Sequence, residues 1–114
     1  MKLLITENQK ERIALDWMNK NFSPDQLEVV TSEEYPNPIF YRKNGKVVME
    51  QDKTNKNFYF DHDEIYSFFE SFFGMKYKEW QGVMRIWLKE TFNLRGYTPE
   101  AALRPMLWKL VESS

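Results

Sequence analysis

The chain has no cysteine, which excludes a disulfide framework, a thiolate metal site and a thiol nucleophile, and fits a reducing cytosol. Histidine is nearly absent too. His62 stands alone, without the second histidine that zinc-enzyme spacings require. The glycines Gly45, Gly74, Gly82 and Gly96 are too scattered to build a phosphate-cradling loop, and there is no Gly-x-Ser-x-Gly elbow. Nor is there a long apolar run. The start, MKLLITENQKERIALDW, turns polar too soon for the h-region of a secretory signal, and nothing later approaches the roughly 20 apolar residues of a membrane span. A soluble cytoplasmic protein is expected, with no membrane association. Charge of one sign is also lacking. Sixteen Lys plus Arg against 17 Asp plus Glu leave a net charge of −1, so the whole molecule has no commitment to a polyanion.

What is present in excess is aromatic. Nine Phe, six Tyr and four Trp make up 17% of the 114 residues, and each large ring can remove on the order of 150–250 Å² from water. Hydrophobic residues at 42% and charged residues at 29% place the chain among folded globular proteins. Its length allows one domain, residues 1–114.

Thr6 and Gln9 have the spacing of a capping box, and Ile13, Ala14, Trp17 and Met18 follow at helical intervals until Pro24. Leu27 and Val29–Val30 are compatible with a short strand. Asn44-Gly45, set between IFYRK and KVVMEQ, reads as a type I′ hairpin turn. An unbroken register from that turn puts Tyr41 opposite Val48 and Phe40 opposite Met49, so that Phe40, Val47 and Met49 share a face. Phe58, Tyr59 and Phe60 supply a third strand. Asp61 with Glu64 resembles a second capping box, and Ile65, Phe68, Phe69 and Phe72 form a stripe ending at Gly74. A longer helix over residues 77–94 carries Trp80, Val83, Met84 and Trp87 inward, with Gly96 as its stop. Pro105 either kinks a last segment or opens a helix bearing Met106, Leu107, Leu110 and Val111. The expected fold is α+β: an N-terminal helix, a three-stranded antiparallel meander, then two or three C-terminal helices.

Chemistry is thinly signalled. Asp61-His62-Asp63-Glu64 is the one cluster of metal-ligand residue types, but adjacent residues at a helix start diverge, and N-capping accounts for them. The expectation is therefore no metal, no cofactor and no catalytic residue. Ile86 and Trp108 fall at or beyond the edges of the inward stripes. Together with Trp87 they are the candidate contacts for a protein partner or a second copy. Nucleic acid is the alternative partner. The segment 65–92 has the outline of a helix-turn-helix around Gly74, presenting Lys76, Lys78, Gln81 and Arg85. The surrounding residues 75–97 hold five basic and two acidic side chains. Against this reading stand Glu70 at the helix contact, Gly82 within the reading helix, and the frequency of plain helical hairpins. The basic hairpin (Tyr41, Arg42, Lys43, Lys46, Lys53, Lys56, Tyr59) suits either stacking on single-stranded bases or protection of an edge strand.

MKLLITENQ and the block FYFDHDEIYSFFESFFGMKYKEWQGVMRIWLKETFNLRGYTP give the chain a further character: it resembles small uncharacterised accessory proteins encoded by tailed bacteriophages. The resemblance covers residues 1–9 and 58–99. It implies action in the infected bacterial cytoplasm on host machinery or defence, and it assigns no site residue.

Overall fold

The computed structural model describes residues 7–113. Its first helix, α1 (Glu7–Asn21), buries Ala14 and Met18, and Phe22 just beyond its end is buried as well. The intervals of four place all three on one face. Ile13, expected on that face, is 45% exposed, since it sits about 100° round the helix from the buried line through Ala14. Thr6, the expected cap, lies outside the described residues.

A five-stranded sheet follows in the order β1 (Glu28–Val30), β2 (Pro38–Lys43), β3 (Lys46–Asp52), β4 (Asn57–Asp61) and β5 (Thr98–Ala102). The first four strands are antiparallel and β5 runs parallel to β4. The fold is thus α+β with a mixed sheet. The expected three-stranded meander is its centre, extended by one strand at each edge. Asn44 and Gly45 take φ of 52° and 80°, the positive pair that a type I′ turn needs. The register beyond that turn differs from expectation. Arg42 pairs with Val47 but Tyr41 with Met49 and Phe40 with Glu50, so Val48 is a bulge residue. The extra residue sends Val48 and Met49 to the larger core with Tyr41, while Phe40 and Val47 face the other side. Phe40, Val47 and Met49 therefore do not share a face.

A π-helical turn (His62–Tyr66) leads into α2 (Ser67–Phe72), and Gly74, at φ 62°, separates α2 from α3 (Tyr77–Phe92). Together with α1 these elements cover one face of the sheet. Trp80, Val83, Met84, Trp87 and Leu88 of α3 are buried against Phe58 and Phe60. Phe72 departs from its expected stripe and is 71% exposed. Asn93, at φ 56°, ends α3 in place of Gly96, with the Leu94 N–H bonded back to the Leu88 carbonyl. The last helix, α4 (Met106–Glu112), opens after Pro105 and packs on the opposite face of the sheet.

β5 is an improbable strand by composition, TPEAA, and α3 supplies what it lacks. The Tyr77 hydroxyl accepts from the Ala101 N–H (3.0 Å) and donates to Glu100 (2.7 Å), and Gln81 Nε2 donates to the Pro99 carbonyl (2.8 Å). Residues i and i+4 of α3 thus occupy backbone groups that an edge strand would otherwise leave open. Burial and the Glu100 carboxylate both raise the Tyr77 pKa, which keeps this hydroxyl protonated.

Gly82 lies inside α3 with nothing within 4 Å of where a Cβ would stand. Helix-interior glycine costs roughly 0.5–1 kcal/mol relative to alanine. Gly82→Ala is therefore expected to raise the melting temperature by about 3–5 °C in a thermal circular-dichroism scan, and a lower value would contradict the open placement of this position.

Candidate interaction surfaces

The C-terminal helix is apolar on both sides. Its inward side chains, Trp108 and Val111, are 0% and 5% exposed and pack with Phe40, Val47 and Ala102. Trp108 Nε1 donates to Glu50 Oε1 at 2.7 Å. Burial raises the Glu50 pKa, an effect that Trp108 donation opposes and the nearby Asp52 charge reinforces. Outward, Leu103, Met106 and Leu110 are 77%, 77% and 53% exposed. Met106 and Leu110, four residues apart, share the face of α4 away from the sheet, and Leu103 is exposed on the segment before the helix. The sequence pattern grouped Met106, Leu107, Leu110 and Val111 and set Trp108 at or beyond the edge of the inward stripes. The indole decides otherwise, because turning Trp108 to the sheet removes the largest apolar area from water and rotates the other two side chains out.

An ion cluster fixes the approach to this helix. Arg104 takes φ 46°, a left-handed conformation that costs a non-glycine residue roughly 1–2 kcal/mol. Its guanidinium donates to the Val47 carbonyl and to Asp61 Oδ2, both at 3.0 Å, and to Glu112. Glu112 also accepts from the Val47 N–H at 2.8 Å. Burial disfavours its charged form, but Arg104, the Val47 N–H and Lys46 outweigh that and leave its pKa lowered. The same two carboxylates raise the Arg104 pKa against the effect of burial. The start and the end of α4 are thereby tied to β3 and β4.

Beside the outward face runs a hollow of about 500 Å³ between the loop after β1 and α4. Val30, Tyr35 and Leu110 line it, and the carboxylates of Glu33 and Glu34 stand on its wall. A second apolar area lies across the molecule, where Ile13, Phe72 and Phe73 line a hollow of about 320 Å³ with Lys10.

The residues singled out from sequence are distributed differently. Trp87 is fully buried, with Nε1 donating to Asn19 Oδ1 at 3.0 Å, and Trp108 is fully buried as described. Neither offers surface to a partner, which corrects the expectation that they do: both indoles are wide enough to fill the two cores and have their N–H satisfied there. Ile86 is half-buried. Lys76, Lys78 and Arg85 are exposed on α3, while Gln81 is engaged with β5 and cannot also read a base edge. Phe69, Met75, Trp80 and Val83 do form an interhelical core, but one shared with the sheet.

The acidic cluster does not converge. Asp61 is buried, accepts from the Asp63 and Glu64 N–H groups (3.0 and 3.4 Å) and faces Arg104. Glu64 pairs with Lys46 at 2.8 Å, so the reciprocal half of the expected capping box is absent. His62 Nδ1 lies 3.0 Å from its neighbour Asp63. Among the described residues no group of three or more His, Asp or Glu side chains is placed to hold a metal ion. Four of the five hairpin cations are engaged internally: Arg42 with Glu28, Lys43 with the Asn21 carbonyl and the Phe22 ring, Lys46 with Glu64, and Lys56 over the Tyr97 ring, while Lys53 is exposed. Tyr41 is buried. Tyr59 is half-buried, with its hydroxyl accepting from Asn57 at 3.3 Å, and the hairpin lies within the sheet, since β1 flanks it.

No helix among the described residues is long and apolar enough to cross a membrane. Compared with protein-family models, curated proteins and solved structures, the chain finds no match.

Proposed function

We propose that this protein is a non-enzymatic binding module that engages a protein partner through the outward face of α4. Met106 and Leu110 on that face, with Leu103 exposed just before the helix, carry the reading. Apolar helix faces belong against other apolar surface, and the sheet covers only one of the two that α4 carries. Burying a leucine or methionine side chain contributes roughly 1.5–3 kcal/mol, so three such side chains supply the centre of an interface. Trp108 and the Arg104 cluster hold α4 in place beforehand, which lowers the ordering cost of association. Glu33 and Glu34 beside this face favour basic side chains flanking the partner's apolar segment. In the phage setting implied by the sequence resemblance, that partner is a bacterial host protein.

A photo-crosslinking residue at Met106, compared with one at Lys20 on α1, tests this in bacterial lysate. The expected result is a discrete adduct from position 106, reduced at least tenfold by Leu103→Ser with Leu110→Ser. An adduct of twice the chain mass identifies a second copy as the partner. Adduct patterns that do not distinguish the two positions would sink the proposal.

A further inference from the structure

The surface of α3 that faces away from both cores carries a row of cations. Lys78, Arg85 and Lys89 are exposed, and their intervals of seven and four place them along one line of the helix. At about 1.5 Å per residue the line is roughly 16 Å long. It passes over Gly82, where no side chain intrudes and nothing else lies within 4 Å of a Cβ position. Beyond the helix, the turns at Asn93 and Gly96 (φ 56° and 78°) bring Arg95 back. Arg85, Lys89 and Arg95 then line one hollow of about 430 Å³ with Tyr97 and Thr98, and no carboxylate lines it.

These cations are unspent. Among the described residues none of the four makes an ion pair, unlike Arg42, Lys46 and Arg104. Of the two acids in this segment, Glu79 is turned to the Lys76 N–H and to Lys10, and Glu90 sits about 100° round the helix from Lys89. The negative end of the helix dipole, worth about half a charge, accounts for one cation near Asn93 but not for three. None of the large exposed apolar side chains falls between residues 75 and 97. The face therefore lacks the apolar centre of a protein interface and has the polar, positive character of a nucleic-acid interface.

We propose that this face binds the phosphate backbone of a nucleic acid, with Arg85, Lys89 and Arg95 as principal contacts and Lys78 extending the track. The contact is independent of base sequence, because the Gln81 amide is held by the Pro99 carbonyl. It is also independent of the α4 face, which lies on the other side of the sheet.

Fluorescence anisotropy with labelled DNA, single-stranded and duplex, in two unrelated sequences each and at rising salt, tests the proposal. The expected result is a Kd of roughly 10⁻⁴–10⁻⁶ M near physiological salt, similar for both sequences. Arg85→Gln with Lys89→Gln and Arg95→Gln should reduce the slope of log K against log salt by roughly 2 for single strands and nearly 3 for duplex. The Arg85→Lys, Arg95→Lys variant should keep most of that slope, and Lys20→Gln should leave it unchanged. An undiminished slope in the triple variant, displacement by polyglutamate as effective as by unlabelled DNA, or no binding at low salt would each overturn the assignment. The substituted side chains are exposed and without ion-pair partners, so wild-type melting is expected, and the lysine variant reports on the site even if the glutamine variant melts early.

Discussion

Trp108→Ala is expected to free α4 from the sheet while the rest of the molecule stays folded. The side chain is fully buried, and truncating a buried tryptophan costs roughly 3–5 kcal/mol. It also strands Glu50, whose pKa burial already raises and which this indole's donation relieves. A helix of seven residues cannot persist alone in water, because nucleation outweighs what so short a ladder returns. Release therefore means unfolding of α4. The larger core, with Trp80 and Trp87, lies on the opposite side of the sheet and loses nothing directly. Native-state hydrogen exchange is the measurement: α4 amides should lose protection while α3 amides keep theirs. If both exchanged together in the variant, α4 would belong to the global cooperative unit and the two-layer account of its stability would be wrong. Loss of the Met106 crosslink in the same variant would connect the docking of α4 to binding.

The division into two cores was only half legible in the sequence. Local signals were strong where the chemistry is local: Asn44-Gly45 specifies a hairpin through its backbone angles, and the 80–87 stripe specifies a buried helix face. The bulge at Val48 has no such signal, since consecutive valines suit either face until both faces are known to be covered. β5 was hidden for a related reason. Threonine, proline, glutamate and two alanines are weak strand formers, and this strand exists through parallel pairing with β4 and through the Tyr77 and Gln81 side chains, all distant along the chain. In the last helix the apolar residues at almost every position announced burial without announcing direction. The competition among Met106, Trp108 and Leu110 for the sheet was decided by ring size.

The two proposed surfaces differ in the same way. The basic excess of residues 75–97 was visible, and so were Lys78 and Arg85 as outward side chains. That Arg95 folds back onto Lys89 and Arg85 was not, because it depends on Asn93 and Gly96 turning the chain into a strand that the composition concealed. Gln81 carried the opposite lesson: a side chain well suited to reading bases is spent on holding the sheet edge. The α3 row and the outward face of α4 end up on opposite layers, so occupancy of one leaves the other accessible.

Asp61→Ala is expected to lower stability by about 3 kcal/mol and to loosen the approach to α4. One oxygen of this fully buried carboxylate caps the π-helical turn through the Asp63 and Glu64 N–H groups, and the other meets Arg104. Loss of a cap costs about 1 kcal/mol, and a hydrogen bond to a charged group contributes roughly 1.5–3 kcal/mol. The two roles can be separated. Asp61→Asn retains a neutral acceptor for the cap but turns donors or a weaker acceptor toward the guanidinium, so it should recover about the cap's share alone. Arg104 would still have Glu112 and the Val47 carbonyl, which is why the total stays near the lower end for a broken buried pair. In urea denaturation, a double-mutant cycle with Arg104→Ala should give a coupling energy of about 1–2 kcal/mol. A coupling near zero would mean that Asp61 acts only as a cap and that the left-handed turn at Arg104 is held by Glu112 and Val47 without it.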